Sequence, residues 1–211
     1  MGYYPIFLNM AGRRCAVIGG GAVAERKVEG LLEVGASVTV LSPRLTQRLK
    51  GWAKEGKIRH EAREYCFGDL LGYELAFVAT DDGTVNDAVA QEGRVRGVWV
   101  NAADDPAHCD FILPSILQRG ELIVAISTGG ASPAVSRAVR EELEAYFSED
   151  YAALVQIASE VRRELKQKSI HPNTQAWHKA LDGDLHRLIS EGKREEARNH
   201  LLKRLGVETC R

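Results

Sequence analysis

The first half of this chain is predicted to be a doubly wound α/β domain built on a parallel sheet, with a small helical unit behind it. Three observations predict it. Short apolar, β-branched runs alternate with longer amphipathic stretches from residue 14 to about residue 100, the pattern of strands alternating with helices. Three glycines break the chain where the first run gives way to the first amphipathic stretch. Beyond residue 105 the alternation stops, and from about residue 149 onward only helical signals remain.

Taken in order, "CAVIG" from Cys15 is too short for a helix and ends in glycine, so it forms a strand. Ala24, Val28, Leu31, Leu32 and Gly35 then share one face at i, i+4, i+7 and i+8 spacing, with Gly35 as the helix stop. "SVTVLS" is the second strand, "RLTQRLKGWAKEG" the second helix, "LAFVAT" the third strand, and "DGTVNDAVAQEGRVRG" a third helix capped by Asp82. "GVWVNA" is the fourth strand. In "DFILPSILQRGELIVAISTGG" two apolar runs split by "QRGE" suggest an antiparallel hairpin, and "ASPAVSRAVREELEAYF" is a helix with Pro133 near its first turn. Three helical stretches complete the chain, "YAALVQIASEVRRELKQK", "NTQAWHKALDG" and "DLHRLISEGKREEARNHLLKRLG"; Trp177, His178, Leu181, Leu185 and Leu188 are expected in their core.

The 211 residues suffice to bury a sizeable core. Lys+Arg 28 against Asp+Glu 29 leaves a net charge of -1, which gives no whole-protein argument for nucleic acid or an anionic membrane, and neither is expected as a partner. No stretch approaches the ~20 apolar residues of a membrane span. The start, "MGYYPIFLNMAGRRCAV", lacks the features of a secretory signal, so a cytoplasmic location is expected. Cys15, Cys66, Cys109 and Cys210 form no C-x-x-C pair, which argues against a disulfide framework or structural zinc.

Gly19, Gly21 and Ala24 form G-x-G-x-x-A at a strand-to-helix turn. The first glycine permits the turn, the second lets the backbone approach a pyrophosphate, the small third residue lets helix pack on strand, and free amides at the helix start hold the phosphate charge. A tight turn with no ligand is the competing explanation. The acid that usually ends the second strand of a NAD-binding unit is missing; Ser42, Pro43 and Arg44 stand there. Ser42 could donate to a ribose and Arg44 could take a 2′-phosphate or simply be solvated, so from residues alone NAD and NADP stand level. Thr80 and Asp81, just past the third strand, are candidates to line the cofactor.

"VNAADDPAHCDFILPS" follows the fourth strand and places Asn101, Asp104, Asp105 and Asp110 in a loop at the carboxyl ends of the strands, where open α/β sheets keep their ligands. A carboxylate beside a nicotinamide can act as general base, but Asp-Asp-Pro is equally ordinary turn chemistry. His108 and Cys109 are adjacent and lack a third ligand, so no metal site is assigned. "AISTGGASPAVSRAVRE" is a second strand-to-helix turn, through Ser127, Thr128, Gly129 and Gly130, with Arg137 and Arg140 in the following turns. It suits carboxylates or is a capped helix with a solvated basic face.

Together, "PIFLNMAGRRCAVIGGGAVAERKVEGLLEVGASVTVLSP", "FVATDDGTVN", "VNAADDPAHCDFILPS" and "AISTGGASPAVSRAVREELE" resemble the siroheme-synthase N-terminal family, whose members are precorrin-2 dehydrogenases, some also sirohydrochlorin ferrochelatases. The resemblance is continuous from residue 3 to about residue 150 and weaker through the tail. It implies a Rossmann-type NAD-binding domain over 1–112, a dimerisation and substrate-cleft segment over 113–149, a helical domain over 150–211, and an intertwined homodimer. It implies that NAD takes hydride from precorrin-2, a reduced tetrapyrrole bearing eight carboxylates, and so tips the cofactor toward NAD. Asp104 matches the family's essential aspartate; Gly21, Ala22, Val23, Pro43 and Arg44 match its cofactor contacts. The family's S-[ST]-G-G turn matches Ser127, Thr128, Gly129 and Gly130, near the expected substrate cleft; Asn101, Arg137 and Arg140 are the further residues expected near substrate, and Asp104 is expected to take the proton. Ala102 and Ala103 stand where relatives often have valines, which leaves the aspartate's position unaffected. Dehydrogenase activity alone is favoured, with ferrous iron as a further substrate if insertion also occurs. The 211 residues show no counterpart of the methyltransferase domain fused behind this module in longer relatives, so methylation of uroporphyrinogen is expected of another protein. A NAD-sensing module without catalysis and an oxidoreductase for another polyanion are the alternatives.

Overall fold

In the computed structural model of the protein residues 2–103 and 108–207 are described, and the chain divides into two units, Met1–Leu113 and Pro114–Arg211. The first unit holds β1 (Arg14–Ile18), α1 (Ala22–Glu33), β2 (Ser37–Leu41), α2 (Gln47–Lys54), β3 (Arg59–Glu61), β4 (Leu75–Val78), α3 (Gly83–Arg96) and β5 (Trp99–Ala102). All five strands are parallel, in the order β3-β2-β1-β4-β5. The chain runs outward from β1 to β3 and then returns to lay β4 on the other side of β1. The direction of winding therefore reverses at the carboxyl ends of β1 and β4, the switch point at which such sheets bind ligands.

Strands buried on both faces need apolar residues in unbroken runs. Cys15 and Val17 pack with Val38, Val40, Leu75, Phe77 and with Ala24, Val28, Leu31 and Leu49 on one face. Ala16 and Ile18 face the other way, into Leu41, Ala76, Val78, Val89, Val100 and Ala102. Thus α1 and α2 cover one face and α3 the other, which is the doubly wound arrangement. Sequence reasoning found four of the five strands. It missed β3, whose "RHE" is polar and which pairs only with β2 at the sheet edge. Burial, with a smaller push from Glu74, raises the Cys15 thiol to about 11, so it is protonated core packing and no nucleophile.

Glu92 on α3 is fully buried, an unexpected place for a charge. Tyr65 Oη, Gly68 N, Leu70 N and Arg96 Nε all donate to its carboxylate, pinning the 65–70 segment to α3. Burial alone would raise its pKa, but these hydrogen bonds outweigh it and hold the carboxyl below the ordinary range.

The second unit opens with an antiparallel hairpin, β6 (Ser115–Arg119) and β7 (Leu122–Ile126), turning through Gly120 at φ 57°. Helices α4 (Pro133–Tyr146), α5 (Asp150–Gln167), α6 (Thr174–Ala180), α7 (Gly183–Ser190) and α8 (Arg194–Arg204) follow. Leu154, Ile157, Val161 and Leu165 make one stripe of α5, buried against Ala180, Leu185, Ile189, Ala197, Leu201 and Leu202. Of the residues expected in this core, Leu185 is fully buried, and Trp177 and Leu188 pack at its margin. His178 and Leu181 are exposed instead, because α6 is only seven residues long, turns Ala180 inward and ends at Leu181.

Candidate functional site

The glycine turn lies at the switch point. Gly19 has φ +114°, and a Cβ there would lie 2.2 Å from Ala79 O, so the end of β4 leaves room for no side chain. Gly20, the unassigned middle residue of the motif, is just as constrained. A Cβ on it would lie 2.0 Å from Arg44 O and 2.8 Å from Ser42 Oγ. Gly21 differs, since none of the described residues lies within 4 Å of the space its Cβ would take. It is the N-cap of α1 and among the described residues no side chain caps that helix, so the first amides, of Ala22 and Val23 among others, are open to water or a ligand. Ala24 is fully buried against the sheet, as the small third residue requires. An open, uncapped helix start beside a turn compressed on its other sides fits a pyrophosphate.

Two further edges border this turn. After β2, Ser42 is buried and its hydroxyl donates to Arg44 O at 2.7 Å, so it shapes the loop that Gly20 packs against. His60 Nε2 lies 2.9 Å from Ser42 O, and Pro43 and Arg44 are exposed. After β4, Ala79 N donates to Ile18 O, and Thr80 Oγ1 accepts from Asp82 N at 3.2 Å. Asp81 is exposed, while Asp82 caps α3 by accepting from Thr84 N and Val85 N. Asn86 Oδ1, on the first turn of α3, is a buried side-chain oxygen with no hydrogen-bond partner among the described residues.

The loop after β5 begins and ends on that strand. Ala103 N donates to Val78 O, and Asp110 pairs with Val100 twice, through N–H to Val100 O and through a carboxylate oxygen accepting from Val100 N, both 2.8 Å. Cys109 Sγ contacts Ala102 N at 3.3 Å and Ala102 O at 3.2 Å. Asn101, expected at substrate, is buried and donates to Phe111 O at 2.9 Å, so its amide closes the loop from within. Asp104 and Asp105 lie outside the described residues. His108 Nε2 is 3.2 Å from Asp87 Oδ1. Among the described residues no cluster of three or more His, Cys, Asp or Glu side chains is placed to hold a metal ion.

The second glycine turn, in the other unit, is built differently. Gly129 and Gly130 adopt φ of 64° and 86°, yet none of the described residues lies within 4 Å of either Cβ position. Ser127 Oγ accepts from Gly129 N. Thr128 Oγ1 accepts from Ser132 N at 2.9 Å and meets Ser136 Oγ at 3.3 Å, while Ser132 Oγ caps α4 through Val135 N. Of the two arginines, Arg140 forms an i,i+4 pair with Glu144 and lies 3.2 Å from Glu141. Arg137 is exposed and pairs with none of the described residues.

Residues 6–115 match a family model described as "Putative NAD(P)-binding", and residues 119–146 match one described as sirohaem biosynthesis protein central. A siroheme synthase of Nitrosococcus oceani is 42% identical over 95% of this chain and 43% of its own length. One from Nitrosomonas eutropha is 37% identical over 97% of this chain and 44% of its own. The chain thus spans less than half the length of these relatives. The solved structure of SirC, a precorrin-2 dehydrogenase, superposes with a TM-score of 0.75 at 28% identity, covering 96% of this chain and 98% of that one.

Proposed function

The chain belongs to the NAD(P)-binding family whose model spans its first half, here with the sirohaem-biosynthesis central segment behind it, and on that premise we propose that it is an NAD-dependent precorrin-2 dehydrogenase. It oxidises precorrin-2 to sirohydrochlorin, on the way to siroheme, and works in the cytoplasm as a homodimer. The observation that carries the reading is the uncapped start of α1 at Gly21, set at the β1/β4 switch point beside glycines that admit no side chain. The apolar outer face of the hairpin, where Ile116 and Ile123 are exposed, supports the dimer. No helix of the described residues is long and apolar enough to cross a membrane.

Bound NAD supplies the hydride acceptor. Gly19 and Gly21, with the amides of Ala22 and Val23, would hold its pyrophosphate; Ser42, Pro43 and Arg44 would form the ribose edge; Thr80 and Asp81 would line the cofactor. Asp104, next in sequence to Ala103 at the strand ends, accepts the proton released as the substrate is oxidised. The substrate's carboxylates are met by Ser127, Thr128, Gly129 and Arg137. Arg140 joins them by giving up its glutamate pairs, and Asn101 acts by holding the Asp104 loop.

The test is anaerobic incubation of the protein with enzymatically made precorrin-2 and NAD or NADP, following the visible spectrum and nicotinamide reduction, with ferrous iron added afterwards. Sirohydrochlorin formation with NAD is expected, slowed about 100-fold or more in Asp104→Ala. Iron insertion no faster than the protein-free control would confine the protein to the dehydrogenase step. Dinucleotide binding without conversion would leave a sensing module and overturn the proposal.

A further inference from the structure

The two loops that would share one dinucleotide, Gly19–Gly21 and Ser42–Arg44, follow different strands, and a single residue beside both ties them together. Thr46 N donates to Gly20 O at 3.0 Å, which fastens the start of α2 to the phosphate turn. Its hydroxyl donates to Glu25 Oε2, on the first turn of α1, at 2.5 Å. The same oxygen accepts from Leu49 N at 3.2 Å and so caps α2. A threonine hydroxyl has one proton to give and lone pairs to accept, and here both are used, in opposite directions. Capping α2 requires only the bond to Leu49; the bond to Glu25 reaches across to the helix that carries the open amides. Glu25 is partly buried and 3.8 Å from Arg48, so the acceptor is a carboxylate held in place, which makes the bond stronger than one between neutral groups. The junction has no slack, because Arg44 O, Ser42 Oγ and Leu45 Cδ2 fill the space beside Gly20.

Resting on the NAD-dependent reading above, we propose that Thr46 is a positioning residue for the dinucleotide, fixing the ribose loop against the phosphate turn through Gly20 and Glu25. A helix cap alone would affect how much protein is folded. A positioning residue also sets how tightly the folded protein holds the adenosine half of the cofactor.

The experiment compares Thr46→Val and Thr46→Ser with the unmodified protein by calorimetric titration of NAD and of ADP-ribose, with circular dichroism as the control for folding. Thr46→Val should weaken both ligands by about tenfold and Thr46→Ser should restore binding to within about twofold. Should Thr46→Val fail to fold, Glu25→Gln keeps the side chain's shape and weakens the same bond, and about threefold loss is expected. A folded Thr46→Val or Glu25→Gln with unchanged affinity overturns the proposal. If the unmodified protein binds no dinucleotide, the dehydrogenase reading falls as well; if it binds and the variants match it, only the role of Thr46 falls.

Discussion

The two glycine-rich strand-to-helix turns, at Gly19–Gly21 and at Ser127–Gly130, look alike as sequence and differ as chemistry. At the first, the helix start is left open and the glycines are demanded by contact, with Ala79 O and Arg44 O within 2.2 Å of the Cβ positions at Gly19 and Gly20. At the second, Ser132 Oγ accepts from Val135 N and Thr128 Oγ1 from Ser132 N, so side chains occupy the helix start, and the glycines are demanded only by positive φ. An open start has unused binding capacity for an anion. A closed one offers a ligand its outer surface, and Gly129 and Gly130 keep that surface bare.

The contrast breaks first under alanine. Gly19→Ala should destabilise the protein by about 2–4 kcal/mol, combining left-handed strain with a clash against backbone, whereas Gly129→Ala should cost about 1 kcal/mol; thermal or urea denaturation of both variants decides it. Equal losses would mean that contact does not separate the two turns. Next, Gly21→Asp should turn the open start into a closed one. Stability should rise by a few tenths of a kcal/mol, while NAD affinity in a calorimetric titration falls by about tenfold or more as a carboxylate replaces the pyrophosphate. Ser132→Ala opens the closed turn and should lower stability by about 1 kcal/mol, with NAD affinity unchanged.

The mildest probe is acid. Glu92 supports the first unit with a carboxyl held below its ordinary value of 4.5, so its stabilisation is complete above that value and is lost as pH falls through the lower folded one. The hydroxyls around Thr128 do not titrate. Amide hydrogen exchange between pH 6 and pH 3, corrected for intrinsic rates, should show α3 losing protection before the first turn of α4; the reverse order would remove Glu92 as the support.

The parts of this fold legible in sequence are those governed by local pattern. Strands β1, β2, β4 and β5 showed themselves because burial on both faces demands apolar runs, and Gly19, Gly21 and Ala24 because their spacing follows the turn. What could not be read depends on partners distant in sequence. The need for glycine at position 20 comes from a carbonyl 24 residues later, and the burial of Glu92 comes from Tyr65, Gly68 and Leu70. Asn101 reads as a ligand-facing amide until Phe111 O, ten residues on, is seen to take it. Arg140 is the exception, since its pairing with Glu144 one turn later is a local signal, available in the sequence and passed over.

The loop after β5 is hemmed by its own flanks. Ala103 N donates to Val78 O on one flank, and on the other Cys109 and Asp110 bond back to Ala102 and Val100. The carboxyl end of β5 is therefore braced from both directions along the chain, and a change at Cys109 or Asp110 is felt by the strand itself as well as by the residue replaced.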